Sequence, residues 1–302
     1  MPIVFDIAGK VFIAGEYGVL AGGPAVVAAV GPRHALSDEG ARGVRLDDIS
    51  LASPVGRLLA ARSASGTAGK YHFLDAQPGV GGFGASTAQF ALAHEVLAPG
   101  LSAAEVWRVY CELHADESVP PSGGDLFAQI EGGIQHWLGE GQGEGRARPL
   151  RFHPDRTFEL CILAAGHQSG RKVPTHEHLP RLREIFERRA PWLPELNALV
   201  ECVALEITSA EGGALGATLQ AVGDLLRREG LECDATSLDR TALGALPQVL
   251  GIKGAGALQA DALVAVVERS GVPEFIAAAS RRDLRFSGVL RDDEPGLRSW
   301  GS

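Results

Sequence analysis

A chain of 302 residues, 45% of them hydrophobic, is long enough to enclose one large or two moderate cores without help from disulfides. Its formal charge of −9 argues against a nucleic-acid or anionic-membrane partner, so an anionic ligand must be met by local basic groups or by the backbone. Cys111, Cys161, Cys202 and Cys233 are far apart with no Cys-x-x-Cys pair; with no basic-then-apolar leader and no apolar run near the ~20 residues of a membrane span, a soluble cytoplasmic protein with reduced thiols is expected.

Residues 3–30 read as strand material. Ile3-Val4-Phe5 and Lys10–Ala14 are set apart by an Ala8-Gly9 turn, and Pro24–Val30 is a short apolar run bounded by glycines, as buried strands are. Lys10 and Glu16 fall at strand ends beside tight turns, where a solvated charge is the bland alternative to a functional one. Residues 38–72 alternate polar turns with short β-like runs. Lys70-Tyr71-His72-Phe73-Leu74 then reads as a strand with Lys70 and His72 on one face.

The next stretch organises the chain. Gly79-Val80-Gly81-Gly82-Phe83-Gly84-Ala85-Ser86-Thr87-Ala88 is a glycine-rich loop running into a helix, whose Ala88, Ala91, Leu92 and Val96 recur on one face. Ser86 and Thr87 can cap or open that helix. A loop at a helix N-terminus, free of Cβ atoms, offers amides and the macrodipole to an anion, and the simplest ligand is a phosphate chain. Gly79, Gly81 and Gly84 spell Gly-x-Gly-x-x-Gly, but a dinucleotide site needs an acidic residue closing a strand roughly 20 residues on. Glu105 has that spacing and belongs instead to Ser102-Ala103-Ala104-Glu105, a capping box that opens another helix. A P-loop fails as well, because Gly-Ala-Ser stands where Gly-Lys-Ser/Thr is required. A glycine-rich turn without ligand is the remaining alternative.

Val106, Val109, Tyr110 and Leu113 form the stripe of the helix after Ser102. Pro120-Pro121-Ser122-Gly123-Gly124-Asp125-Leu126 follows, where Asp125 suits the cap of a helix starting near Leu126, and Gly132-Gly133 come soon after. A run of glycines at 139–145 marks a turn, and Phe158–Ala165 restarts strand structure. The domain boundary is placed near 155, giving segments 1–155 and 156–302. In the second, Leu182–Arg189, Leu196–Ile207, Gly216–Arg228 and Ser237–Leu246 read as helices, and Ala262–Val267 and Arg285–Leu290 as strands. His167, Arg171 and Lys172 lie on a polar loop that either grips a carboxylate or phosphate or is simply solvated; its histidines match no zinc spacing. Lys253, in Ile252-Lys253-Gly254-Ala255-Gly256-Ala257, either approaches a ligand beside its glycines or guards a strand edge. Asp261 has no assigned role.

Three of these stretches resemble the GHMP kinase superfamily of galactokinase, homoserine kinase, mevalonate kinase and phosphomevalonate kinase. Ala8-Gly9-Lys10-Val11-Phe12-Ile13-Ala14-Gly15-Glu16-Tyr17-Gly18-Val19-Leu20 with Gly23-Pro24-Ala25 is similar to the mevalonate and phosphomevalonate kinase opening. The glycine-rich loop is similar to the family's Pro-x-x-x-Gly-Leu-Gly-Ser-Ser-Ala motif, with Ala85 replacing the first serine. Residues 252–257 resemble the late glycine-rich motif. Ser122-Gly123-Gly124-Asp125 with Gly132-Gly133 also looks like the family's Ser-Gly-x-Asp segment.

The resemblance implies an α/β (α+β) two-domain fold, a ribosomal-protein-S5-like N-terminal domain and a ferredoxin-like C-terminal domain with the active site between them. It implies ATP and Mg2+ as cofactors and a small hydroxy-acid or phosphorylated substrate, with phosphomevalonate placed ahead of mevalonate. Gly79, Gly81, Gly82, Gly84, Ala85, Ser86 and Thr87 would hold the nucleotide. Asp125 would take the acceptor's hydroxyl proton, and Lys10 would face the reacting groups. Ser86 and Glu112 would hold the metal, with Asp116 or Glu117 as substitutes for Glu112. Glu16, His167, Arg171, Lys172 and Lys253 are expected at the substrate, and a homodimer stays open. The rival expectations are a GHMP-fold binding protein without transfer activity, which Ala85 in place of the motif serine favours, and a diphosphomevalonate decarboxylase-like enzyme.

Overall fold

The computed structural model describes residues 3–38, 43–63, 69–139, 147–165, 182–185, 187 and 190–300. Two antiparallel sheets carry the fold. The first is built on β1 (Ile3–Ala14) and β2 (Ala25–Ser37), paired along their lengths. Beyond β2 lie β3 (Val44–Arg45) and β4 (His72–Leu74) at one end and β5 (Ile134–Trp137) with β6 (Ala147–Leu150) at the other. The last strand, β11 (Arg298–Ser299), returns from the far end of the chain to pair with β1.

The second sheet has the order β10-β7-β9-β8, with β7 (Phe158–Ala165), β8 (Val249–Ala255), β9 (Ala262–Glu268) and β10 (Leu284–Val289). Helices α1 (Pro54–Arg62), α2 (Ala85–Leu97), α3 (Ala103–Leu113) and α4 (Gly124–Glu131) fall in the first half. α5 (Leu193–Ile207), α6 (Gly212–Arg228), α7 (Asp234–Gly244) and α8 (Val272–Ser280) fall in the second. Strand and helix together make the mixed α/β architecture that the sequence predicts.

Burial on both faces explains why the strands read as continuous apolar runs rather than alternating ones. Along β2, Val26, Ala28 and Val30 join a core with Ile162 and Val264 of the second sheet and Val200, Val203, Leu219 and Val222 of α5 and α6. Its Ala25 and Val27 turn the other way, toward Trp107, Ala128 and Trp137. A further core beneath α1–α4 gathers Ile7, Leu36, Phe73, Phe90, Leu92, Val106 and Leu126. In β9, Val264 and Val266 face the shared core while Leu263, Ala265 and Val267 meet Phe275 and Ala279 of α8.

Four local expectations are corrected. The two strands expected around an Ala8-Gly9 turn are one strand, β1, and the residues between them make a register shift against β2 at Ile7/Gly9. Gly9 stays small there because a Cβ would lie 3.2 Å from both the Phe83 and Val30 carbonyl oxygens. β2 continues past Val30 to Ser37. The strand expected from Lys70 begins only at His72. The helices expected from Leu196, Gly216 and Ser237 begin three or four residues earlier than their apolar stripes suggest. Leu182–Arg189 is helical at its described residues 182–185 and 187, and its remaining positions lie outside them.

Candidate active site

The glycine-rich loop joins β4 to α2 and is fastened on its inner side. Phe83 is buried in the core shared by the two sheets, and its carbonyl accepts the Lys10 backbone N–H at 3.0 Å. Gly84, at φ 78°, is the residue before α2, and a Cβ there would lie 2.7 Å from Lys10 Cγ. Only glycine supplies both the left-handed backbone and the space. α2 starts at Ala85, so Ser86 and Thr87 open the helix instead of capping it. Its first amides have no intrahelical acceptors and, with the helix dipole, make a seat for an anion.

A cavity of about 340 Å³ opens beside this seat, lined by the loop residues 79–84, Ala85, Ser86, Lys10, Asp75 and Asp125. Of the predicted nucleotide-binding residues, Thr87 alone is absent from the lining. Its hydroxyl turns inward and donates to Gln129 Oε1 at 2.5 Å, while Ser86 is exposed at the mouth.

Lys10 and Asp125 arrive from opposite parts of the first half. Lys10 sits on β1, and its Nζ lies 3.9 Å from Asp125 Oδ2 on α4. Asp125 does not cap α4. The helix begins at Gly124 after Gly123 (φ 72°), and the Asp125 carboxylate sits in the first turn, accepting the Leu126 N–H at 3.0 Å. Trp107 of α3 shapes this turn. Its indole N–H donates to the Ser122 carbonyl at 2.8 Å, and a Cβ on Gly123 would fall 2.3 Å from its ring.

Glu16 and Lys253 come together, but not in this cavity. Lys253 is wholly enclosed, and its Nζ donates to Glu16 Oε1 at 2.8 Å; Gln259 Nε2 donates to the same oxygen at 2.9 Å. Burial pushes the Lys253 ammonium below its ordinary value, and the Glu16 carboxylate opposes that shift. Glu112 lies on the exposed side of α3 and does not line the cavity. Its two substitutes serve Arg57, with Asp116 Oδ1 at 2.7 Å and Glu117 Oε1 at 3.4 Å. His167, Arg171 and Lys172 lie outside the described residues.

Three residues at the site carry no sequence signal of their role. Asp75 lines the cavity, its Oδ1 3.2 Å from Nδ1 of the buried His34 and accepting the Gln77 N–H at 2.9 Å. It reads in sequence as an ordinary polar turn residue. Asp261 reaches the loop from the second sheet: Cβ atoms on Gly81, Gly82 or Gly256 would collide with its side chain. Gln129, fully buried, bridges the loop, β1 and α4. The Gly132-Gly133 pair also gains a reason, since Cβ atoms there would strike the backbone of residues 292–296, and the Gly133 N–H donates to the Glu294 carbonyl at 2.7 Å.

Among the described residues no group of three His, Cys, Asp or Glu side chains is placed to hold a metal alone. The cavity's donor set nevertheless suits Mg2+ shared with phosphates, which takes one or two carboxylates and keeps water for the rest. Asp75, Asp125 and the Ser86 hydroxyl are its oxygen donors. With two carboxylates against the single ammonium of Lys10, the lining receives a phosphate chain best together with a cation.

No protein-family model and no curated protein sequence matches the chain. Its structure resembles those of GHMP kinases along nearly its full length. Leishmania major mevalonate kinase in complex with R-mevalonate has a TM-score of 0.67 at 16% identity, covering 96% of each chain. Streptococcus pneumoniae phosphomevalonate kinase in complex with phosphomevalonate and AMPPNP has 0.70 at 12% identity, covering 96% of this chain and 100% of that one. Lactococcus lactis galactokinase complexed with galactose has 0.70 at 13%, covering 99% and 95%. The chain has the GHMP kinase fold.

Proposed function

We propose that the protein is an ATP-dependent small-molecule kinase, with nucleotide and acceptor meeting between segments 1–155 and 156–302. The observation that carries this reading is the Lys10–Asp125 pair facing a glycine-rich loop at a helix N-terminus across one cavity. The loop amides and the start of α2 bind and orient the phosphates. With an alcohol acceptor, Asp125, held by its own helix start, takes the hydroxyl proton as the acceptor oxygen bonds to the terminal phosphorus of ATP and the bond to the ADP oxygen breaks. A phosphate acceptor brings an oxygen already ionised, and Asp125 then serves to orient Lys10. The Lys10 ammonium, one side chain away, offsets the negative charge that gathers there. Ser86 and Asp75 are the residues that would hold Mg2+, which when bound would neutralise phosphate charge.

For the acceptor we infer a branched hydroxy acid of the mevalonate (isoprenoid precursor) pathway, with phosphomevalonate ahead of mevalonate. The opening motif and the basic residues His167, Arg171 and Lys172 in the sequence support that choice. The enclosed Lys253–Glu16 pair reads as a pin between the two sheets rather than a ligand contact. Among the described residues no helix is long and apolar enough to cross a membrane, and the four cysteines are unpaired; both accord with a cytoplasmic enzyme. A second reading rests on Ala85, which removes one hydroxyl from the phosphate seat: a protein that binds nucleotide without transferring phosphate.

The test is ADP release with ATP and Mg2+, offering mevalonate, phosphomevalonate, galactose and homoserine in turn, with Asp125→Asn as control. Turnover on one acceptor that is lost in Asp125→Asn supports the kinase. Nucleotide binding without turnover on any acceptor selects the second reading.

A further inference from the structure

We propose that Gln129 is a positioning residue that locks the phosphate-binding loop, the strand bearing Lys10 and the helix bearing Asp125 into one rigid unit. The proposal rests on the kinase reading above for its consequence in catalysis. Gln129 lies one helical turn beyond Asp125 on α4 and is fully buried. Its Nε2 donates to the Ala8 carbonyl at 2.8 Å, two residues before Lys10, and lies 3.3 Å from the Gly84 carbonyl at the loop's end. Its Oε1 accepts the Thr87 hydroxyl in the first turn of α2. The Thr87 Oγ1 is also 3.0 Å from the Gly84 carbonyl, which closes the network on the loop.

One amide thus touches each of the three elements that meet at the cavity. Gly84 is the contact point: a Cβ there would lie 2.7 Å from Lys10 Cγ and 3.1 Å from both Gln129 side-chain polar atoms. The loop end is therefore clasped between the lysine and the glutamine, and no side chain intervenes to take up slack. An apolar residue at 129 would fill the space but leave the Ala8 carbonyl and the Thr87 hydroxyl without this partner, so α4 would lose its side-chain link to β1 and α2, and the loop would keep to β1 through the Lys10 N–H bond to the Phe83 carbonyl. Transfer chemistry is sensitive to that slack, since a misplacement of about 1 Å costs on the order of 100-fold in rate.

The variants are Gln129→Met, which keeps length and volume, and Thr87→Val, which removes only the hydroxyl. Each is measured for thermal unfolding, for kcat and acceptor KM well below the unfolding midpoint, and for hydrogen exchange of the 79–88 amides. The expected result is a kcat lowered by about 100-fold with acceptor KM nearly unchanged, and faster exchange in 79–88 but not in α1. Because both variants cut the Gln129–Thr87 link, the double variant should lose less than the product of the two single losses. A lower unfolding midpoint with kcat within twofold of wild type and unchanged loop exchange would overturn the proposal and leave Gln129 a packing residue. Should the wild type turn over no acceptor, the kinase reading falls, and loop exchange still decides the lock: faster in both variants upholds it, unchanged rejects it.

Discussion

Replacing Lys253 by methionine separates a structural pin from a ligand contact. The side chain is completely enclosed and reaches from β8 to Glu16, which follows β1 and is itself only 7% exposed. Methionine fills the stem's volume but strands the carboxylate. Glu16 Oε1 keeps one donor, Gln259 Nε2 at 2.9 Å, while Oε2 is already buried without a hydrogen-bond partner. Removing one member of a buried ion pair costs about 3–5 kcal/mol, whereas replacing both members by neutral groups is often close to neutral. Urea unfolding followed by tryptophan fluorescence should register that loss for Lys253→Met and recover most of it in Lys253→Met/Glu16→Gln. If Lys253→Met unfolds at the wild-type urea concentration yet loses turnover, the pin is refuted and the lysine acts on a ligand.

The turn before α4 gives a second test. Gly123→Ala forces a side chain into the Trp107 ring at φ 72°; the left-handed backbone alone costs about 1–2 kcal/mol, and turnover should fall with stability because Asp125 is two residues away. Deleting residues 291–302 removes the Leu297 N–H bond to the Ile130 carbonyl and the Arg298 and Trp300 donors on Asp6. Hydrogen exchange at 128–133 should then quicken and the unfolding midpoint drop. His94 and His136 are held below the ordinary histidine value chiefly by burial. The unfolded chain therefore takes up protons first as pH falls below about 6.5, and stability, full above that value, declines toward pH 5 by at most about 1.4 kcal/mol per pH unit for each group. His94→Leu should flatten part of that slope in urea titrations run from pH 7.5 to 5.

Local chemistry was legible because it is local. The Ser102–Glu105 capping box forms as its spacing implies, with Ser102 N–H donating to Glu105 Oε2 at 2.8 Å. The glycines before Ala85 mark a left-handed approach to a helix whichever fold surrounds them, and Phe158–Ala165 is a strand with the limits its apolar run suggests. Lys10 and Asp125 were nameable as a pair through motif resemblance, and the structure brings them to 3.9 Å.

Tertiary structure alone decided the rest, because burial and partnership depend on residues far apart in the chain. Nothing near Lys253 announces that it is sealed against Glu16, 237 positions away, and a lysine flanked by glycines reads equally as a ligand contact. Glu112 matched by order along the chain, yet the turn of α3 points it to solvent. Asp75 comes to the cavity because β4 pairs with β2 beside His34. Gln129 shows the same limit: an amide on an amphipathic helix carries no mark of its role until β1, the loop and α4 converge around it. Short-range spacing determined which groups this chain could bring to a phosphate, and long-range packing decided which of them face it.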